Sequence, residues 1–355
     1  MRKIVLAAIA ALSISVLSAA ETPMSVDQIT VINLGDGRLL FRNAEDKSPL
    51  EGEHRIIDGY RSEYILAEFH EGLYDGKYEH YRRNALVESG TYKAGVKSGI
   101  FRDYYSDGKS VKAERPITDG KIDGLYKEYS QDGKLYKEKG YKMAVEHGVE
   151  KVYNPDGTLK IEGKYFEGKK DGRWVIDYTS NVGDYREIAS FDKGVSTGEF
   201  SQTWTSGIVR TKGSYKDGKK EGKWINNKKD GMPQDEKSYK NGVLSGESKT
   251  FFTDGTVEKV TTYANDKKNG PEKEYYYNSG GKLKAEYTYA DNVKEGPYKR
   301  FNDDGSLREE GRFQKGSEVY VKEYYKGGKV KSVKERASGS WKTLESYDSN
   351  GNKLQ

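Results

Sequence analysis

Lysines held between glycines are the first feature that could do chemistry. GKKDGRW (168–174) and GKKEGKW (218–224) each set two glycines around a basic pair. A phosphate-gripping loop of the form G-x-x-x-x-G-K-[ST] needs a hydroxyl for the metal ion and a helix that follows. Neither stretch has that hydroxyl, and both run into aromatic segments, so they read as turns. The histidines are His54, His70, His80 and His147; no pair has the i,i+4 spacing of a zinc helix, and no cysteine is present to complete a site. DDGSLREE (303–310) lacks the ligand ladder of a calcium loop and reads as a hairpin turn. No G-x-S-x-G elbow occurs, and nothing singles out one carboxylate pair among many for glycoside hydrolysis. The expectation is a protein that is not an enzyme, with no catalytic residue, no metal and no cofactor.

The elements that carry these residues repeat. Glycine recurs at Gly52, Gly76, Gly99, Gly124, Gly148, Gly172, Gly198, Gly222, Gly246, Gly270 and Gly296, at intervals of 23 to 26 residues. Four residues before ten of these anchors, from Gly76 to Gly296, stand the turn glycines Gly95, Gly120, Gly168, Gly194, Gly218 and Gly242, among others; of the ten residues found there only Ala144 lacks ready access to positive φ. Seven before the same ten anchors comes a ring in nine cases, as at Tyr165, Tyr215 and Tyr239, with Ile117 the exception, and two after the anchors a ring often returns, as at Phe101, Trp174 and Trp224. A second turn, Asp-Gly in SDG (106–108), QDG (131–133) and NPDG (154–157), falls midway. Between turns the period is two: in LKIEGKY (159–165) Leu159, Ile161, Gly163 and Tyr165 share a face. Gly90, Gly163, Gly213 and Gly311 each stand two residues before a ring, leaving room for a ring from the next strand. Each unit reads as strand, Asp-Gly turn, strand, Gly-x-x-x-Gly turn.

An isolated two-stranded hairpin is marginal in water, so such units must share edges and rings with their neighbours. The predicted fold is all-β: an elongated, twisted, solenoid-like meander of antiparallel β-hairpin repeats, about 24 residues each, with no thick globular core. Composition agrees: counting Gly and leaving out Tyr, roughly 37% of the chain is apolar, against about 45–50% in ordinary globular domains. Strand phase is left open, because the rings two after the anchors and those five after them (Tyr81, Tyr104, Tyr129, Tyr153, Tyr275) cannot share a face without a bulge.

MRKIVLAAIAALSISVLSAA (1–20) places Arg2 and Lys3 before an apolar run ending in small residues, the pattern of a cleaved signal peptide. The run is too short to span a bilayer comfortably. The expected organisation is a signal peptide over 1–20, an N-terminal cap or degenerate repeat over 21–51, hairpin repeats over 52–316, and a degenerate C-terminal repeat or cap over 317–355. Export to the periplasm, cell surface or medium follows, with no transmembrane segment after cleavage. Without Arg2 and Lys3 the 61 basic residues fall to 59 against 56 acidic ones. That finely mixed balance, with export, counts against nucleic acid as a partner.

Units such as GSYKDGKKEGKW (213–224) and EYYYNSGGKLKAEYTYADNVKEG (274–296) resemble the bacterial MORN-type repeats, second variant, over roughly 52–316. The resemblance implies a hairpin-built fold used for attachment or partner binding and brings no catalytic residues. The leading expectation is an exported scaffold that binds an envelope or extracellular protein. The alternative is a cell-wall or glycan-binding hairpin module, weakened by having only Trp174, Trp204, Trp224 and Trp341 as tryptophans. Two readings of the rings stay open: a packing ladder internal to the sheet, or a subset bare enough to meet a ligand. For the second, the candidates are Tyr126, Tyr153, Trp174, Trp224, Tyr275 and Tyr298.

Overall fold

A computed structural model describes residues 22–354; the signal-peptide expectation over 1–20 lies outside them. The described residues hold one open sheet of 28 strands, nearly all antiparallel, and a separate two-stranded sheet. The chain divides into two compact units, the first reaching Glu146 and taking in 155–157, the second made of the rest.

The first unit starts irregularly. β1 (Thr22–Ser25) leads through a 3-10 turn, Val26–Gln28, into β2 (Ile29–Asn33) and β3 (Leu39–Asn43), which pair only with each other as strands. Ser25 and Gln28 form a capping box on that turn. β1 lies parallel to β4 (Gly52–Asp58), and β5 (Glu63–His70) and β6 (Leu73–Arg82) follow antiparallel. Met24, Phe41, Leu50, Ile56, Ala67 and Phe69 gather into a small buried cluster where these pieces meet. From β4 on, each strand pairs with its chain neighbours, the predicted meander. In the second unit the antiparallel sequence runs on through Ser317–Tyr324, Val330–Ala337 and Ser340–Ser346, so strand pairing does not stop where the sequence period decays.

Two turn types alternate, and each glycine class has its own place. The turn glycines Gly95, Gly120, Gly168, Gly194, Gly218 and Gly242 all have φ between 74° and 90°. Each is the second residue of a two-residue turn whose first residue also has positive φ, as in Glu167 (φ 49°) and Gly168 (φ 77°), the geometry that matches strand twist. The Asp-Gly turns are looser loops closed by a bond such as Ser130 N to Lys134 O at 2.9 Å, with Gly133 at φ 83°. Ala144 was the exception in the sequence, yet it takes the turn conformation at φ 71°, after Met143 at 49°. Its neighbours over-determine the turn, and it carries the steric cost.

The Gly-x-x-x-Gly turn needs correcting. Gly168 turns the chain, but Gly172 lies inside the strand Lys169–Tyr178. There it sits by a register shift, with φ 66°. The anchors Gly76, Gly99, Gly172, Gly198, Gly222, Gly246 and Gly270 all lie at such shifts and are bulge residues, at ease with the positive φ that a bulge of this kind needs, whereas Gly52, Gly124 and Gly296 open strands. A further register shift falls at Tyr81, Tyr104, Tyr129, Tyr153 and Tyr275, which answers the open question of phase.

Successive repeats are stapled at the turns. The amide of Gly194 donates to Lys170 O at 2.7 Å and that of Gly218 to Ser196 O at 2.9 Å, one repeat back. A carboxylate just before the anchor adds a second bond: Glu51 accepts from Glu71 N at 2.7 Å, Glu221 from Asn241 N at 2.8 Å, Glu295 from Lys315 N at 2.6 Å. Asp171 does the same for Lys193 N at 3.3 Å. Turn amides that would otherwise face water are satisfied by the previous repeat, which couples the hairpins in series.

Candidate functional site

The six candidate rings do not form a site together. Trp174 and Trp224 are each 2% exposed, as is Tyr298, so the expectation that these three are bare is overturned. The cause is the glycine beside the ring position. A Cβ built on Gly163 would lie 2.2 Å from Trp174 Cδ2, and one on Gly213 the same distance from Trp224 Cδ2. Each indole thus lies flat on a bare backbone, as the sequence expects. Its Nε1 donates to a strand carbonyl, Lys164 O and Ser214 O respectively, both at 3.2 Å. Lys170 and Lys220 stand over the same rings at 4.2 and 4.3 Å. Phe101 covers Gly90 likewise, and Gly311 meets Tyr298 from the preceding strand. Tyr126, Tyr153 and Tyr275 are half-buried. Tyr126 packs edge-on against Tyr141 at 6.2 Å, while Tyr153 and Tyr275 sit at bulges opposite Leu159 and Leu283. These rings are rungs of the sheet.

One rung is polar. Where a ring is expected at the anchor+2 position, Glu272 stands 2% exposed, and Thr261 occupies the glycine position. Thr261 Oγ1 donates to Glu272 Oε2 at 2.9 Å, Lys268 Nζ at 2.5 Å, and Tyr289 Oη to Oε1 at 3.2 Å. Burial pushes this carboxyl up, but the bonds from Lys268 and Thr261 outweigh it and hold the pKa below its ordinary value.

The histidines form no shared cluster among the described residues, although two of them touch Glu51. His54 Nε2 meets Glu51 O at 3.0 Å, His70 meets Glu51 at 3.2 Å, His80 meets Glu63 at 3.2 Å, and His147 lies against Phe166.

Two concavities lie where the repeat breaks. In the first unit an open apolar hollow of about 200 Å³ lies beside the β2–β3 hairpin, walled by Val26, Ile29, Val31, Phe41, Ile56 and Ile65. Glu63 and His80 are at its polar end. A hydrogen bond from Arg82 at 2.7 Å holds the Glu63 carboxyl below its ordinary pKa. Val31, Ile32, Leu34 and Leu39 are exposed on the same hairpin.

In the second unit a cavity of about 540 Å³ opens among hairpin tips. Tyr178 and Tyr185, the last residues before a six-residue loop and the first after it, stack at 5.0 Å and 18°. Trp204 stands edge-on to Tyr185 at 6.1 Å. Arg210 lies over both rings, 4.5 Å from Tyr185 and 4.9 Å from Trp204. Arg186 grips Asp177 with two bonds of 2.7 and 2.8 Å. Asn154, Lys160, Asp184, Thr203 and Thr205 complete the wall. Sequence reasoning missed this cluster. Its signal was the stretched interval from Gly172 to Gly198, 26 residues, with TSNVGD (179–184) where an Asp-Gly turn is due.

Comparison with known proteins fits this architecture. The family described as MORN repeat variant matches at residues 122–143, 146–167 and 294–315. The chain carries MORN repeats. Each matched segment ends on the first residue of a tight turn, Met143, Glu167 or Lys315, so one MORN repeat is one hairpin with its Asp-Gly loop inside. Hairpins between the matches keep the same tight turns and bulges, with Gly194, Gly218 and Gly242 and then Asp266 and Asn292 as second turn residues, and Tyr178, Tyr185 and Trp204 fall outside the matched segments. No curated protein matches the chain. Among solved structures, a porin-like protein from Bacteroides uniformis ATCC 8492 is similar over 59% of this chain and 89% of that one, at 11% identity and a TM-score of 0.14.

Proposed function

We propose that this MORN-repeat protein is a non-enzymatic, exported scaffold that binds a protein partner at the cell envelope through its N-terminal hairpin. The observation that carries the reading is the outer edge of β2. Among the described residues β2 pairs with β3 alone, leaving one row of backbone donors and acceptors without a strand partner. Its sequence, ITVIN, has neither charge nor proline to blunt that edge, and Val31 is 51% exposed. Natural sheets guard such edges unless another chain uses them. An incoming strand would gain main-chain bonds from β2 and set alternate side chains into the adjoining apolar hollow, the usual division between affinity and specificity in strand addition. Export is supported by the charged, apolar and small-residue pattern of 1–20.

The test places a photo-crosslinking residue at Ile32 in the full chain expressed in cells. The expected result is one discrete protein adduct in the envelope or extracellular fraction, on a chain beginning at Glu21. It should be lost in a Val31→Lys/Thr30→Lys variant that still folds. Retention of the leader in the cytosol would overturn export, and adducts unaffected by the lysines would overturn docking at β2.

A further inference from the structure

We infer that the cavity among the second unit's hairpin tips is a saccharide-binding site for a short oligosaccharide, formed by Tyr178, Tyr185 and Trp204 with Asp177, Asp184 and Arg186. This goes beyond the protein-docking reading, which concerns the first unit only. Three observations converge. The volume, about 540 Å³, is that of a small-molecule site, for which about 300–1,000 Å³ is ordinary.

Next, the wall is chemically two-sided. Tyr178, 37% exposed, offers a ring continuous with Tyr185, onto which the C–H face of a sugar can lie. Beside it the Arg186–Asp177 fork, Asp184, Asn154, Thr203 and Thr205 present donors and acceptors with rotamers already restrained. Lys160 and Arg186 balance Asp177 and Asp184, so the wall does not select for net charge. A purely apolar side chain of a protein would cover these groups without pairing them, which is costly, whereas a polyol meets both kinds of surface.

Finally, Trp204 is 8% exposed and its Nε1–H is buried with no acceptor. Trp174 and Trp224 both have theirs paired, so the unpaired indole donor is particular to the tryptophan on this wall. With no accessible surface, this N–H meets a sugar hydroxyl only if the wall shifts on binding, and the bond then formed pairs a donor that is otherwise left without an acceptor.

The experiment titrates the mature chain with dimers to tetramers of neutral glucans, N-acetylhexosamines and uronate-containing sugars, by calorimetry and tryptophan fluorescence. Saturable binding of at least one series is expected, weakened at least tenfold by Tyr178→Ala, which removes the exposed ring, and by Trp204→Phe, which removes only the donor and part of the ring. Both variants should keep the wild-type circular dichroism, and Val31→Lys/Thr30→Lys should bind sugar normally. Absence of saturable binding in every series would overturn the inference. So would binding that both folded variants retain in full, or a protein adduct formed from a photo-crosslinker at position 178.

Discussion

Trp224 and Trp204 belong to neighbouring repeats and are used in opposite ways. Trp224 lies on Gly213, gives its N–H to Ser214 O and is capped by Lys220, so all its chemistry is spent inside the sheet. Trp204 stands at a strand end with Arg210 over it, a cavity beside it and its N–H unpaired. What separates them is position within the hairpin. Mid-strand, a ring faces the backbone of the next strand and can be enclosed; at a tip, the neighbouring strands have ended and only loops remain to cover it. The regular part of the repeat builds the sheet, and at an irregular tip rings are left beside a cavity.

The largest effect that could break this contrast comes from filling the glycine. Gly213→Ala should cost about 3 kcal/mol, because its Cβ must displace the Trp224 ring in a fitted contact. Gly207→Ala, beside Trp204 in chain and cavity, should cost only about 1 kcal/mol, from its left-handed backbone; a Cβ there meets nothing within 4 Å. Equal losses in urea unfolding would mean that the two regions are packed alike.

Next in size is the polar rung. Glu272→Gln should lower stability by about 2 kcal/mol at neutral pH, leaving Lys268 and Thr261 without their carboxylate. The folded-state pKa of Glu272 lies below its ordinary value of 4.5. Its contribution is therefore complete above that value and declines as pH falls through the folded pKa. Melting temperatures from pH 7 down to 3 should show this acid loss in the wild type and a flatter curve in the variant.

Smaller again is the indole donor. Trp174→Phe and Trp224→Phe should each cost about 1 kcal/mol more than Trp204→Phe, the net worth of one hydrogen bond, since only the first two break one. Matching costs by chemical denaturation would remove the distinction between spent and unspent indoles. Least of all, Ala144→Gly should gain about 0.5–1 kcal/mol by relieving a left-handed alanine, offset by the freer unfolded chain. A loss on differential scanning would show that the turn at Met143 and Ala144 is held by contacts other than backbone geometry.

Much of this molecule could be read from its residues. Positive φ is a steric matter settled within one peptide unit, so Gly168 and Gly218 announced turns without knowledge of their surroundings. The pairing of Gly163 with a ring was also legible, since a period of two fixes which residues share a face. The anchor glycines were harder: bulges and turns ask for the same backbone freedom, and only the pairing of Lys164 with Asp171 and of Glu162 with Val175 separates Gly172 from Gly168. The staples from Glu51 and Glu221 went unread, because the amides that they bind are 20 residues away along the chain.

By itself, then, the chain determined that hairpins form, where they bend and that they join edge to edge, because those choices depend on local sterics and alternation. Which rings are covered, and which are left at a cavity, was decided only in three dimensions. Burial depends on what a neighbouring repeat places opposite, and Tyr178, Tyr185, Trp204 and Asn154 meet because separate tips converge. No spacing along one strand encodes that meeting.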